Sequence, residues 1–111
     1  MKKILAFGAS TSSNSINRQL AWHAAGLAPD AEVTRLDLRD LEIPLYSTDA
    51  EASAGVPKDA LKFLELVRAH DAVVVSLAEH NGSYTAAFKN LYDWASRADQ
   101  KVWADKPMLL L

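Results

Sequence analysis

Two polar stretches hold most of the residues in this chain that could do chemistry. The first is GASTSSNSIN, Gly8 to Asn17, with hydroxyls at Ser10, Thr11, Ser12, Ser13 and Ser15 and a side-chain amide at Asn17. It lies between an apolar run and an apolar-periodic segment, where a strand would hand over to a helix. The first turn of a helix presents unpaired N–H groups and the positive end of the helix dipole, a combination that suits a phosphate. Hydroxyl and amide groups would add donors. The same residue types also cap helices, because their side chains accept an N–H of the first turn. The turn alone leaves cradle and cap open. It has neither the glycines and lysine of a Walker loop nor the glycines of a dinucleotide fingerprint, which disfavours triphosphate and dinucleotide sites.

The second stretch is EHNGS, Glu79 to Ser83. Gly82 admits a left-handed backbone, Asn81 supports a turn through its side chain, and Ser83 suits the cap of a following helix. Those three roles are structural. Glu79 and His80 are left over, and each can simply face water.

Composition removes several other chemistries. The chain has no cysteine, so thiol catalysis, disulfides and thiolate metal sites are out. Its net charge is −2 over 111 residues, with no basic block, which argues against nucleic acid and anionic membrane surfaces. The opening MKKILAFGAS has an apolar run of about six residues, short of the ~7–15 expected of a signal sequence. No stretch approaches the ~18 apolar residues of a membrane helix. The expected location is cytoplasmic.

The elements that must position the two stretches follow from apolar patterning. Lys3 to Gly8 reads as a buried strand. Ser15 to Ala28 reads as a helix, with Ile16, Leu20, Ala24 and Leu27 at helical spacing, stopped by Pro29-Asp30. Glu32 to Leu38 reads as a second strand. Arg39 to Val56 is a long polar connection. Pro57 opens a second helix in a favoured first-turn position, with Leu61, Leu64 and Val67 on one face and Phe63 and Leu66 alongside. Ala72 to Leu77 is a β-branched run of the kind covered on both faces. Thr85 to Ala98 reads as a third helix bearing Phe88, Leu91, Tyr92 and Ala95. Pro107 to Leu111 begins a fourth apolar run. Alternating strands and helices predict one α/β domain with a mainly parallel sheet. In such sheets ligands sit beyond the carboxyl ends of the strands, and both polar stretches are expected at that edge.

Taken together, GASTSSNSINRQLA and AEHNGSYTAAFKNLYDWAS resemble the flavodoxin-like NADPH-dependent FMN reductases, which include quinone, azo-dye and chromate reductases. The shared features are Ser15-Ile16-Asn17-Arg18 closing the first turn, then Glu79-His80-Asn81-Gly82-Ser83, Lys89-Asn90 and Asp93-Trp94. DLRDLEIPLYSTD resembles the family's loop after the second strand. The resemblance covers essentially the whole chain. It implies a flavodoxin-like three-layer sandwich with sheet order 2-1-3-4, and FMN as cofactor with NAD(P)H as substrate. Ser10, Ser15, Ile16 and Asn17 would lie at the FMN phosphate. Glu79, His80, Asn81, Gly82 and Ser83 would line the ring, largely through backbone groups. No catalytic acid, base or nucleophile and no metal is expected, since the flavin carries the hard chemistry.

The resemblance further implies a small-molecule electron acceptor and a homodimer or homotetramer, with Leu41 to Tyr46 and Trp94 as interface material. Lys89, Asn90, Asp93 and Trp94 are expected to be structural. Ser12 stands where many members carry Arg, which leaves phosphate charge to the dipole and hydroxyls, or to Arg18 if it reaches. His80 replaces the commoner Tyr. Members are roughly half as long again and continue into a glycine-rich flavin-contacting loop, a helix and a fifth strand. This sequence is therefore expected to be a flavodoxin-like FMN-binding domain over residues 1–111 that lacks its C-terminal part. The alternatives are a flavodoxin-like electron carrier without NAD(P)H turnover and an inactive fragment. A receiver-type signalling domain is disfavoured, since Ala9-Ser10 stands where it needs an acidic cluster.

Overall fold

The first strand, β1, spans Lys2–Gly8. After its two lysines it is apolar, and Leu5, Ala6 and Phe7 are fully buried. A strand buried on both faces belongs at the centre of a sheet. The computed structural model describes residues 1–111. It pairs β1 in parallel with β2, Ala31–Leu36, on one side and β3, Ala72–Ser76, on the other.

The remaining elements, in chain order, are helix α1 (Ile16–Gly26), helix α2 (Thr48–Ala54), helix α3 (Lys58–Ala69), the short strands β4 (Glu79–His80) and β5 (Ser83–Tyr84), helix α4 (Ala86–Ala98) and strand β6 (Met108–Leu110). The sheet order is β2-β1-β3-β6, all parallel. This is the expected order, with β6 in fourth place because β4 and β5 form a separate antiparallel pair.

Strand alternation sorts the two faces. Leu5, Phe7, Val73 and Val75 face α3 and α4, where they join Phe63, Leu64, Val67, Leu91 and Ala95 in the larger core. Ala6 and Val74 face α1 and meet Ala21 and Ala25. The result is three layers of flavodoxin-like type.

The α1 face has small side chains for a steric reason. A Cβ on Gly8 would lie 2.3 Å from the backbone nitrogen of Arg18, so glycine is what lets the start of α1 meet β1 this closely. This corrects the apolar stripe read from sequence. Ile16 and Leu27 are 76% and 71% exposed, and the buried line is Ala21–Ala25 instead. A helix drawn in by a glycine contact presents alanines to the sheet and leaves Ile16, Leu20 and Leu27 turned outward.

Further expectations change. Pro57 is the residue before α3 rather than its first residue, and it makes no side-chain cap. The buried face of α3 is Ala60, Phe63, Leu64 and Val67, an i, i+3, i+4, i+7 set that leaves Leu61 exposed. The second strand ends at Leu36 rather than Leu38, a 3-10 turn at Leu38–Asp40 leads into the long connection, and that connection contains α2. Helix α2 buries no residue, so apolar periodicity could not reveal it; Ser47 caps its start and Gly55, at φ 73°, ends it.

Helix α4 ties that connection down. Asn90 Oδ1 accepts from the Tyr46 N–H at 2.8 Å, while its Nδ2 donates to the Pro44 carbonyl at 2.9 Å. Trp94 Nε1 donates to the same carbonyl at 2.7 Å, and its ring packs edge-on against Tyr46. Asn90 and Trp94 are structural as expected. Trp94 is buried within the chain, so it is not interface material, whereas Leu45 beside it is exposed.

Candidate functional site

The loop Ala9–Ser15 leaves β1, and the β4–β5 hairpin follows β3. These strands are neighbours, so both polar stretches emerge at one carboxyl edge. Hydrogen bonds then tie the first stretch to the strand end and helix start that flank the second. Ser76 follows Val74 by two residues and so shares the α1 face, where its Oγ donates to Asn17 Oδ1 at 2.8 Å. The Ala9 N–H donates to the Ser76 carbonyl at 2.9 Å. Thr85, buried at the start of α4, donates from Oγ1 to the Ala9 carbonyl at 2.7 Å and accepts the Phe88 N–H at 3.1 Å.

Within the first loop, Ser10 and Ser15 are buried and both hydroxyls act as acceptors. Ser10 Oγ takes the Ser12 N–H at 3.1 Å. Ser15 Oγ takes the Arg18 N–H at 3.1 Å and is the N-cap of α1. Each hydroxyl still has its own proton to donate. Cap and cradle are therefore compatible: accepting the N–H fixes the oxygen and leaves the O–H free for a ligand.

Arg18 acts on the opposite side of this loop. Its Nη1 donates to the Ser12 carbonyl at 3.3 Å and to Asp37 Oδ2 at 3.2 Å. Its Nη2 donates to the Ser13 carbonyl at 2.8 Å. In a trans peptide the N–H points opposite to the C=O of the same plane. Carbonyls held toward Arg18 therefore turn the Ser13 and Asn14 N–H groups away from it. Those two N–H groups, with those of Thr11, Ile16 and Asn17, have no acceptor in the chain. Several unpaired donors at and just before the start of an eleven-residue helix suit an anion. Ile16 enters only through its backbone, its side chain being exposed.

Arg18 is ion-paired with Asp37. Asp37 also receives Arg39, whose Nη2 lies 2.8 Å from Oδ2. The hydrogen bonds from the Arg39 side chain hold the Asp37 carboxyl below the usual carboxylate range. Partial burial opposes this, while the Arg39 N–H and the charges of Arg39 and Arg18 reinforce it.

The second stretch is a two-residue hairpin. Glu79 pairs with Tyr84 and His80 with Ser83. Asn81 and Gly82 take φ values of 55° and 79°, the double left-handed conformation that Asn-Gly hairpins favour. All six residues from Glu79 to Tyr84 are exposed. Ser83 is in the ladder, so it does not cap α4 as expected; the chain leaves the ladder one residue later and Thr85 takes that place. The Glu79 and His80 side chains have no hydrogen-bond partner in the chain, and the hairpin offers its backbone tip and both side chains to whatever lies beside it.

Two small cavities flank the edge. One of about 100 Å³ lies between Thr11, Leu38, Leu41, Ile43 and α4. The other, of about 250 Å³, lies beside the hairpin between Tyr84, Phe88, Lys89, Tyr92 and Trp103. Both fall below the ~300–1,000 Å³ of an enclosed small-molecule pocket, so the site is an open edge. Ser76, Thr85 and Asp37 do not stand out in the sequence. A serine ending a buried strand is the available signal for Ser76; Thr85 and Asp37 act across long sequence separations and carry none.

Known proteins are similar to this chain in sequence and fold. The family model described as NADPH-dependent FMN reductase matches residues 2–111. An NAD(P)H-dependent FMN reductase of Pseudomonas aeruginosa is 36% identical over 110 residues, covering 98% of this chain and 58% of that enzyme. A 2-hydroxy-1,4-benzoquinone reductase of a Burkholderia species is 36% identical over 107 residues, covering 95% of this chain and 56% of that enzyme. The solved structure of FerB, a flavoenzyme NAD(P)H:(acceptor) oxidoreductase of Paracoccus denitrificans, superposes with a TM-score of 0.76 at 31% identity, over 100% of this chain and 60% of its own. The chain thus spans a little over half the length of these relatives. With both motifs on one sheet edge and the match running through nearly every residue, the chain belongs to the NADPH-dependent FMN reductase family.

Proposed function

We propose that residues 1–111 form the FMN-binding domain of an NAD(P)H oxidoreductase that passes electrons to a small oxidised acceptor such as a quinone. The observation that carries this reading is the set of unpaired N–H groups of Thr11, Ser13, Asn14, Ile16 and Asn17, beside an exposed hairpin that follows the adjacent strand. These residues fit a flavin mononucleotide. The N–H groups with the Ser10 and Ser15 hydroxyls and the Asn17 amide would take the phosphate, adjacent to the positive end of α1. Glu79, His80, Asn81, Gly82 and Ser83 would border the ring. Bound FMN supplies hydride acceptance from NAD(P)H and delivery of electrons to the acceptor.

The chain's own part is positional. Ser76, Asn17, Ala9 and Thr85 hold the phosphate loop and the hairpin base in one frame, so phosphate and ring would be placed together. The names of the relatives above support NAD(P)H and quinones as substrates. Assembly into a homodimer or homotetramer is part of the proposal, supported by the exposed Ile16, Leu27 and Leu45. So is a cytoplasmic location; no helix is long and apolar enough to cross a membrane.

The test is a titration of the purified chain with FMN followed by flavin fluorescence, then addition of NADH or NADPH with benzoquinone. Saturable quenching and flavin-dependent nicotinamide oxidation are expected. No saturable binding would overturn the proposal, and binding without turnover would favour the electron-carrier alternative.

A further inference from the structure

From the geometry of Arg18 we infer that it is a positioning residue for phosphate recognition: it does not touch the phosphate but turns the peptide planes of the first loop so that their N–H groups face it. This rests on the reading of that loop as the FMN phosphate site. Three observations carry it. The guanidinium spans the consecutive carbonyls of Ser12 and Ser13 and the carboxylate of Asp37, three acceptors on two separate parts of the chain. Its side chain is only 12% exposed and that of Asp37 13%, so the group is committed inward. Its Nε is buried without an acceptor, so Nη1 and Nη2 make all of its hydrogen bonds.

The fork is itself held in place. The Arg18 guanidinium lies 5.3 Å from the centre of the Trp22 ring, within cation–π range. Trp22 in turn donates from Nε1 to the Ala6 carbonyl of β1 at 3.1 Å. A line of contacts therefore runs from the central strand through Trp22 and Arg18 to the loop. Without the fork, the Ser13-Asn14 plane loses the partner of its carbonyl and the Ser12-Ser13 plane keeps only the 3.3 Å bond from the Ser15 N–H, so the Ser13 and Asn14 N–H groups are no longer firmly turned away from Arg18. A lysine carries the charge on a single nitrogen and cannot hold two carbonyls and a carboxylate in one plane.

The test compares two ligands that differ only in the phosphate, FMN and riboflavin. Dissociation constants for both are measured on the wild-type chain and on Arg18→Gln, Arg18→Lys and Arg39→Gln. Wild type is expected to favour FMN by about tenfold or more. Arg18→Gln and Arg18→Lys are both expected to lose most of that preference with riboflavin affinity nearly unchanged. Arg39→Gln, which removes the other partner of Asp37 but no loop contact, is expected to keep it. A merely structural Arg18 would weaken both ligands alike and leave the ratio intact, which overturns the inference. So would a fully retained preference in Arg18→Lys, which points to charge rather than to the fork, or a loss in Arg39→Gln equal to that in Arg18→Gln. Should Arg18→Gln fail to fold by circular dichroism, Arg18→Lys carries the comparison. A wild-type chain that binds FMN but does not prefer it over riboflavin overturns the phosphate reading itself, whatever the variants do.

Discussion

Ser76 Oγ donates a 2.8 Å hydrogen bond to Asn17 Oδ1, joining the end of β3 to the first turn of α1 across fifty-nine positions of sequence. Ser76 is buried, so its hydroxyl has exchanged water for this one partner. Ser76→Ala is expected to cost about 1 kcal/mol, the net worth of an ordinary hydrogen bond, and Asn17→Ala about as much. The double variant should cost less than the sum, because the second change removes a group that has already lost its partner. Urea unfolding of the four proteins measures the coupling. Strict additivity would show that the bond contributes nothing to the frame of the site.

Thr85 performs two tasks with one hydroxyl. It donates to the Ala9 carbonyl and accepts the Phe88 N–H at the start of α4. Thr85→Val keeps the shape and loses both bonds, leaving a buried carbonyl and a helix N–H unpaired. A lost cap and a lost buried hydrogen bond together predict about 2 kcal/mol of destabilisation. Thr85→Ser keeps the hydroxyl and should lose under about 1 kcal/mol. A larger loss in Thr85→Ser than in Thr85→Val would assign the role of Thr85 to its methyl group rather than to its bonds.

Strands, their order and the two polar turns are legible in the sequence because their signals are local or carried by motif: unbroken apolar runs, polar residues directly after them, and Asn81-Gly82 at a turn. What escapes depends on distance. The stripe Ile16, Leu20, Ala24, Leu27 has helical period, but period alone does not say which face is near the sheet; that is decided by Gly8 meeting the backbone of Arg18. Helix α2 buries nothing and has no stripe to show. Ser76, Thr85 and Asp37 belong to common residue types whose roles arise only once β1, β3 and α4 stand side by side. Arg18 stands out in the sequence for its charge, whereas its use lies in the two carbonyls it holds.

The contact at Gly8 gives a contrasting pair of predictions. A methyl group there would stand 2.3 Å and 2.5 Å from backbone atoms of Arg18, which cannot swing aside as a side chain would. Gly8→Ala must push the start of α1 off the sheet, and overpacking of this kind costs about 1–3 kcal/mol. Gly26, at the end of the same helix, has no atom within 4 Å of the place a methyl group would take, and its φ is not positive. Gly26→Ala should stabilise by about 0.5–1 kcal/mol through helix propensity. Thermal unfolding of the two variants reads both signs at once, and a Gly8→Ala protein as stable as wild type would mean that α1 yields freely.

The pH dependence expected of Asp37 follows from its partners. Hydrogen bonds from the Arg39 side chain hold its carboxyl below the usual carboxylate range, against an opposing effect of burial, with the Arg39 N–H and the charges of Arg39 and Arg18 adding to the lowering. A carboxyl whose folded pKa is depressed contributes stability that is fully present above its unfolded value, about 3.9. That contribution is lost as pH falls through the lower, folded value. In Asp37→Asn the contribution is missing at every pH. The stability difference between wild type and Asp37→Asn should therefore stay constant from neutral pH down to about pH 5, shrink around and below 3.9, and flatten once both states are protonated. Denaturant unfolding across that range measures it. A difference that widened on acidification would reverse the sign and show that the arginines do not favour the charged form of Asp37.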